Sequence, residues 1–391
     1  MMFPTVSTII NYFFGTDFSW PIPTFGFFVA LAFVFSYFTF ANGFSWKEKL
    51  GVFAEIKLSK TSRRNTFQWE IILYALTGFI VGFKGIGALL ASETFPNSPF
   101  SWLFSMQGNW ITGIIFALLF ICYYVYFYRK EPLVHERRGD QSISAKQLLP
   151  SFVLWAAISG FLGAKLLYVF EDYEQFKIYG IGNLLHSTGL TFWGGLIFGG
   201  ASYFYLGIKR GLNWKHLADI GSLGMLVAYG VGRMGCHLSG DGDWGIVNTI
   251  EKPVEWWPDW AWSFRFPHNT LGLGNYIPGC DGPFCYVLPE GVFPTSLYES
   301  IGILAVFLIL FSFRNKWNIP GLIFTIYLYV ISLERFFIEF IRVNYKFKVL
   351  GFYLSEAQLI SLFLFLIAIW MSVFIVTRRD KESNDSTCHT L

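Results

Sequence analysis

Residues 355–376 read SEAQLISLFLFLIAIWMSVFIV, and the only charge in this stretch is Glu356, at its beginning. A helix needs about 20 mostly apolar residues to cross the hydrocarbon core of a bilayer. The segment has that length and composition, so it predicts a membrane-spanning helix. The residues that follow it, 377–391, are polar and are expected to form a disordered cytoplasmic tail.

The rest of the chain repeats this apolar pattern. Hydrophobic residues make up 54% of the sequence and charged residues only 14%, whereas soluble proteins carry about 25% charged residues. The net charge of +3 is too small to suggest a nucleic-acid partner. The sequence predicts an all-α fold, a polytopic membrane helix bundle of about nine transmembrane helices with an extracytoplasmic loop region. The helices are expected at 25–42, 70–91, 110–128, 150–170, 190–208, 217–237, 297–313, 320–341 and 355–376.

Residues 1–376 are interpreted as a single transmembrane domain, in which 70–128 resembles an inserted helical hairpin. The distribution of Lys and Arg indicates the orientation of this domain. If the N-terminus is extracytoplasmic, the inside segments hold 19 of these residues and the outside segments hold 6. Cytoplasmic loops carry the excess of positive charge, so we expect a multi-pass inner-membrane protein with its C-terminus in the cytoplasm.

The longest loop, 238–296, is extracytoplasmic in this orientation. Oxidising conditions there permit a disulfide between Cys280 and Cys285, and two free thiols are the alternative. The loop also contains a tryptophan-rich run, 255–262. We interpret this run as an aromatic anchor at the bilayer surface, and a substrate-contact surface is the alternative.

The strongest chemical signal lies in residues 230–245, which read GVGRMGCHLSGDGDWG. A predicted helix ends here and becomes a glycine-rich turn. Glycines allow the backbone to approach a ligand closely, and successive turn N–H groups can bind an anion. Arg233 adds a planar, permanently charged group that suits a phosphate. The alternative is a tight helix-ending loop stabilised by salt bridges.

A second signal lies in residues 333–342, which read LERFFIEFIR. Arg335, Glu339 and Arg342 are spaced i, i+4 and i+7, and therefore share one face of a continuous helix. Charges inside transmembrane helices are costly and usually mark functional sites. We expect a second phosphate-binding arginine held by a carboxylate, and a structural ion pair between Arg335 and Glu339 is the alternative.

Two further motifs bring the total to four along the chain. They are GLTFWGGLIFGG at 189–200 and FPTSLYE at 293–299. Together, these runs resemble the prolipoprotein diacylglyceryl transferase family over about residues 150–376. From these motifs we expect a catalytic group and a substrate-binding group of residues. The catalytic group is His237, Asp241, Asp243, Arg335 and Glu339, and the substrate-binding group is Arg233, Arg342, Gly194, Gly195, Gly235, Gly240, Gly245, Tyr298 and Glu299.

The resemblance also implies a reaction. A diacylglyceryl group passes from phosphatidylglycerol to the lipobox cysteine thiol of a prolipoprotein signal peptide, at the outer face of the inner membrane. No metal and no cofactor is expected. The alternatives are a paralogue with another acceptor, a non-catalytic lipid-binding protein, and a membrane lipid transporter, which the glycine-interrupted helices would suit.

Several positions depart from the family pattern. Trp193 stands where the family has a His, and Cys236 stands where it has an Asn. A thiol with a pKa of about 8.5 is mostly protonated at neutral pH, so its activation needs a proton acceptor. We hypothesise that His237 is this base, oriented by Asp241 or Asp243, with His186 as the second candidate.

Overall fold

A computed structural model describes residues 2–388, with gaps at 19, 21, 54–55, 91–106, 131–135, 138–139, 172–176, 178–190, 318 and 350. The chain divides into two compact units. The first comprises Met1–Gly43 and Lys215–Leu391, and the second comprises Phe44–Trp214.

Each predicted transmembrane segment contains a helix in the described part of the chain. These helices are α2 (Thr24–Lys49), α3 (Lys60–Ile80), continued by a π-helical turn (Val81–Ile86) and α4 (Gly87–Leu90), α5 (Trp110–Lys130), α6 (Leu149–Glu171), α7 (Phe192–Lys209), α8 (Trp214–Ser239), α10 (Thr295–Phe313), α11 (Leu322–Ile338) and α12 (Glu356–Cys388).

Shorter elements complete the described structure. They are α1 (Val6–Phe14), β1 (Ile56–Ser59), β2 (Glu136–Arg137), β3 (Asp140–Ile143), a 3-10 turn (Ala145–Leu148), α9 (Asp259–Trp262), β4 (Asn275–Tyr276), β5 (Tyr286–Val287), β6 (Lys346–Val349) and β7 (Phe352–Ser355). The strands pair antiparallel, in the order β1-β3-β2, β4-β5 and β6-β7.

The helical membrane-protein class predicted from the sequence is confirmed. Among the described residues, four helical stretches are long and apolar enough to cross a bilayer: Thr24–Lys49, Ala145–Val169, Thr295–Phe313 and Glu356–Thr377. The total of nine spans stays a prediction. The disordered tail also stays a prediction; in the described residues α12 continues to Cys388. Its Arg, Lys and Glu residues are good helix formers and can extend an existing helix.

In the second unit, glycines allow two pairs of helices to pack closely. A Cβ atom added to Gly194 of α7 would lie 2.2 Å from the carbonyl oxygen of Gly163 of α6. The two helices of the predicted hairpin also pack closely at a glycine. A Cβ on Gly82 would lie 2.2 Å from the carbonyl oxygen of Thr112 in α5. Small residues of this kind are typical of helix contacts inside membranes.

In the first unit, α8 contacts the helices that carry the site. The Ser300 hydroxyl of α10 donates a hydrogen bond of 2.7 Å to the Gly230 carbonyl of α8. At the other end of α8, buried Asp219 accepts hydrogen bonds from the backbone N–H groups of Gly321 (3.0 Å) and Phe324 (3.1 Å). These N–H groups belong to the first turn of α11, where helical backbone donors lack intrahelical partners. Asp219 therefore fixes the start of α11.

The loop between α8 and α10 packs around a small core, in which Phe266, Leu288 and Val292 of the loop surround Met2 of the N-terminal segment. Its first residues lie against the end of α11, because the Ile246 N–H donates to the Ile341 carbonyl at 2.8 Å. The loop also contains the expected disulfide. Cys280 and Cys285 are bonded, with Cα atoms 5.6 Å apart.

We expect this disulfide to be present in protein purified without reductant. Mass-tagging of thiols in denatured, non-reduced protein should leave Cys280 and Cys285 unmodified, and both should be tagged after reduction. Cys122, which is a free and exposed cysteine, is the internal control and should be tagged in both samples. Tagging of Cys280 and Cys285 before reduction would show that the loop contains two thiols.

Candidate functional site

The centre of the candidate site is Glu299, on the first turns of α10. Its side chain is fully buried, and three arginines surround its carboxylate. Arg233 Nε lies 2.7 Å from Glu299 Oε2. Arg335 Nη1 and Arg342 Nη1 each lie 3.1 Å from Oε1. A buried charge needs an opposite charge and hydrogen bonds as partners, and Glu299 supplies them to three cations at once.

A second carboxylate, Asp243, bridges two of these arginines. It accepts a short hydrogen bond from Arg233 Nη1, and Arg342 Nη2 lies 2.7 Å from its Oδ1. Burial opposes the ionisation of Asp243, but Arg233 and Arg342 outweigh that effect and hold the pKa of this carboxyl below its usual range. Asp243 is therefore a carboxylate at neutral pH.

The third carboxylate is Glu339, which follows the last residue of α11. Its side chain is fully buried; Arg335 Nη2 lies 3.9 Å from its Oε2, and it accepts a hydrogen bond from the Asn344 side-chain amide. Three arginines thus face three carboxylates, and we call these six residues the arginine cluster.

Arg335 has the most exposed side chain of the three arginines, at 27% against 14% for Arg233 and 10% for Arg342. It is the cation that a ligand can reach most easily.

The chain path explains how the cluster assembles. Because α11 ends at Ile338, Arg342 does not share a continuous helical face with Arg335, as the sequence had suggested. Arg342 is instead held by a backbone bridge to Gly245. A Cβ atom on Gly245 would lie 2.4 Å from the Ile341 carbonyl oxygen, so only glycine permits this approach.

Two further glycines shape the turn before that bridge. Gly240 has a φ of +62° and Gly242 a φ of +100°, values that favour glycine strongly. The Thr295 hydroxyl then donates to the backbone carbonyl of Asp243 at 3.1 Å. The turn therefore delivers the Asp243 side chain to the arginines, and contact of Gly240 or Gly245 with a substrate stays a prediction.

His237 lies outside the cluster. It is buried among aromatic rings, with centroid distances of 5.8 Å to Phe264 and 5.6 Å to Phe266. Within the described residues its Nδ1 has no hydrogen-bond partner. The expected orientation of His237 by Asp241 or Asp243 is not found there, because Asp243 pairs with arginines instead. His186, the second candidate, lies outside the described residues.

Asp241 has a different environment from Asp243. Burial raises the pKa of its carboxyl and the charge of Asp243 raises it further, against the effect of a hydrogen bond with Cys236. Possible ligand atoms of Cys236, Asp241 and Asp243 lie within 4.8 Å of one another. A divalent metal would have to compete with the two arginines that already neutralise Asp243, so this trio suits proton transfer better than metal binding.

The remaining predicted site residues have structural contacts. Gly194 and Gly195 lie on α7, facing α6 in the second unit, and Gly235 packs against Phe28. The Tyr298 hydroxyl donates to the Ala261 carbonyl at 2.7 Å, which ties the loop to α10. Their roles in substrate binding stay predictions.

One residue that the sequence predictions omitted is Glu334, which neighbours Arg335 on α11. Both of its carboxylate oxygens are buried and lack a hydrogen-bond partner among the described residues. The signal that could have identified it is a carboxylate within an apolar helix, directly beside a predicted functional arginine.

The sequence of the chain is similar to that of one family of known proteins. Residues 110–374, more than half of the chain, match the sequence model of a family described as prolipoprotein diacylglyceryl transferase. The phosphatidylglycerol–prolipoprotein diacylglyceryl transferase of Clostridium novyi (strain NT) is 29% identical over 268 residues, 68% of this chain and 91% of that protein. A protein named phosphatidylglycerol–prolipoprotein diacylglyceryl transferase 2, from Clostridium perfringens (strain 13 / Type A), is 28% identical over 242 residues, 59% of this chain and 80% of that protein. The matched range contains the whole arginine cluster and begins at α5, the second helix of the predicted inserted hairpin.

Proposed function

Since the chain belongs to the prolipoprotein diacylglyceryl transferase family, we propose that it transfers a diacylglyceryl group from phosphatidylglycerol to prolipoproteins in a bacterial membrane. The observation that carries this proposal is the grouping of Arg233, Arg335 and Arg342 around Glu299. Preorganised cations of this kind stabilise the charge that develops on a leaving phosphate. The acceptor is the thiol of the lipobox cysteine in the signal peptide.

The arginines of the cluster are already paired with its carboxylates, so a phosphodiester binds there by exchanging partners with them. When a lipid phosphate enters, an arginine can exchange a carboxylate contact for a phosphate contact without being left unpaired. Arginine and phosphate groups form bidentate hydrogen bonds with good geometry. Arg335 is the arginine that contacts the phosphate first, because it is the most exposed of the three and its contact with Glu339 is the longest in the cluster.

In the reaction, the acceptor sulfur attacks the glycerol carbon that bears the phosphate ester. A carbon–sulfur bond forms, the carbon–oxygen bond breaks, and glycerol phosphate leaves with the electron pair of the broken bond. The thiol proton passes to a base on the protein. Arg335 and Arg233 neutralise the leaving phosphate. Glu299 contacts both guanidinium groups, and Asp243 also holds that of Arg233.

Asp241 is better placed than His237 to be that base. Its carboxyl is not held in an ion pair of the arginine cluster, and its pKa is raised by burial. A base becomes more effective as its pKa approaches that of the group it deprotonates and the working pH. His237 faces the aromatic core of the loop instead.

We expect Asp241→Asn to lower transfer by about 10²–10⁴-fold, the usual contribution of a general base. Because a carboxyl acts as a base only when ionised, the wild-type rate should rise with pH through the raised pKa of Asp241, and the variant should lose this rise. His237→Gln should keep both the rate and the pH profile. Asp281→Asn, at an exposed loop position, is the matched control. Loss of the pH dependence in His237→Gln, with Asp241→Asn unaffected, would assign the base to His237.

The outer face of the inner membrane is the proposed location of the reaction. The ends of α8 and α11 that carry the cluster face outwards in the orientation supported by 19 basic residues inside and 6 outside. The N-terminus is then extracytoplasmic and the C-terminus cytoplasmic.

The replacement of two family positions by Trp193 and Cys236 favours a non-catalytic relative as the second candidate. Two tests separate the two functions. Purified protein in bilayers should release glycerol phosphate from phosphatidylglycerol when a lipobox peptide is added, and it should restore growth to a strain depleted of its own transferase. Lipid binding without turnover in both tests would support the non-catalytic candidate.

A further inference from the structure

The hairpin formed by β6 and β7 connects α11, which carries Arg335, to α12. It begins four residues after Arg342, so it lies beside the arginine cluster. The two strands pair antiparallel, with Lys348 opposite Tyr353 and Phe347 opposite Leu354. The proposed function does not use this hairpin.

The hairpin has two chemically different faces. Side chains alternate between the faces of a strand, and directly paired residues share a face. Lys346, Lys348 and Tyr353 therefore lie on one face, and Phe347, Phe352 and Leu354 lie on the other. Phe352 is 71% exposed and Tyr353 is 67% exposed. Aromatic side chains left uncovered beside transmembrane helices are typical of the membrane–water interface.

The charge of the hairpin is also one-sided. Residues 343–355 read VNYKFKVLGFYLS and contain two lysines but no Asp or Glu. In the proposed orientation, the outside segments hold only six basic residues. Two of them are Lys346 and Lys348, and a third, Arg342, is already paired with Asp243 and Glu299. Basic residues are depleted on the outer side of membrane proteins, so their concentration at this one place indicates an anionic partner.

We propose that this hairpin binds the anionic lipid surface of the outer leaflet. Phe347 and Phe352 enter the interface, and Lys346 and Lys348 contact lipid phosphates. Basic residues next to a membrane attract anionic lipids, so the hairpin raises the local concentration of anionic lipid beside Arg342. That lipid includes phosphatidylglycerol, whose role as the donor rests on the proposed function.

A prolipoprotein is the other possible occupant, and charge argues against it. The positively charged region of a signal peptide stays on the cytoplasmic side. The part that reaches the outer face is apolar and offers Lys346 and Lys348 no opposite charge. An anionic lipid complements the same two lysines, and the apolar face of the hairpin fits the acyl boundary of the bilayer.

The first test measures the depth of the hairpin. A nitroxide label is placed at Phe352→Cys in full-length protein carrying Cys122→Ser and Cys388→Ser, and the protein is inserted into lipid nanodiscs. If the label lies in the interface, it should collide more often with oxygen, which dissolves in the bilayer, than with a nickel chelate, which stays in water. The control label at Glu290→Cys, an exposed loop position, should show the reverse. Equal access of the chelate to both labels would overturn the proposal.

The second test measures lipid preference. The association of spin-labelled phosphatidylserine, an anionic lipid distinct from the proposed donor, is compared with that of phosphatidylcholine. Lys346→Gln and Lys348→Gln should each lower the preference for the anionic lipid by about fivefold. The matched control is Lys252→Gln, because Lys252 is already paired with Asp259 at 2.6 Å; it should leave the preference unchanged.

An unchanged preference in the Lys346→Gln, Lys348→Gln double variant would overturn the proposal. Burial of the Phe352→Cys label only after a lipobox peptide is added would also overturn it, and would make the hairpin a protein-binding surface. Neither readout depends on turnover. Failure of the transfer assay with an intact lipid preference would therefore count against the proposed function and leave this inference standing.

Discussion

Replacement of Arg233 or Arg335 with alanine is expected to lower diacylglyceryl transfer by about 10²–10³-fold, the usual cost of removing one preorganised group that stabilises developing charge. Both guanidinium groups contact Glu299, and Arg233 also pairs with Asp243. Each guanidinium group is therefore held in place by carboxylates before a lipid phosphate binds. The measurement is release of glycerol phosphate by purified protein in bilayers containing phosphatidylglycerol.

Lysine should restore activity only in part, because its ammonium group lacks the planar fork that binds two oxygens at once. Arg265→Ala is the matched control. Arg265 belongs to the same loop region but donates to the Leu288 carbonyl, at 2.9 Å, rather than to the cluster. Wild-type turnover in both Arg233→Ala and Arg335→Ala would contradict the assignment of a phosphate-binding role to the cluster.

The sequence could single out several charges of the cluster, because charge is so costly in an apolar helix. Arg233, Arg335 and Glu339 stood out within apolar surroundings, and a bilayer leaves such groups few partners other than one another. The apolar segments were predictable for a related reason. Their length and composition are set by the thickness of the hydrocarbon core, so each of the nine contains a helix.

The sequence could not predict the centre of the cluster. Glu299 was one residue in a motif, and only the packing of α8, α10 and α11 shows that three arginines converge on it. Arg342 was expected on a helical face, but the helix ends before it and a bridge to Gly245 positions it instead. His237 was expected near the carboxylates of Asp241 and Asp243 only because these residues follow it closely in the sequence. Its ring direction depends on the loop core, which is built from residues about 30 positions away.

Glu299→Gln is expected to destabilise the protein by about 3–5 kcal/mol, the cost of leaving buried charges without their partner. The variant keeps the shape of the side chain but leaves three arginines facing two carboxylates. The excess positive charge lies in a buried region, where water cannot screen it. Thermal unfolding in detergent should show a lower midpoint than in the wild type, and transfer should fall as the arginines move apart. Glu290→Gln, at an exposed position of the loop that precedes α10, should unfold like the wild type.

A compensating change separates charge balance from simple loss of contacts. Arg342→Gln alone leaves three carboxylates facing two arginines, so it should also lower stability. In the double variant Glu299→Gln, Arg342→Gln the charges balance again, and the loss of stability should be smaller than the sum of the two single losses. Transfer should stay low in the double variant, because Arg335 has lost the carboxylate that positions its guanidinium at 3.1 Å. Strictly additive losses would show that Glu299 and Arg342 act independently, and a Glu299→Gln variant as stable as the wild type would show that the carboxylate does not hold the cluster together.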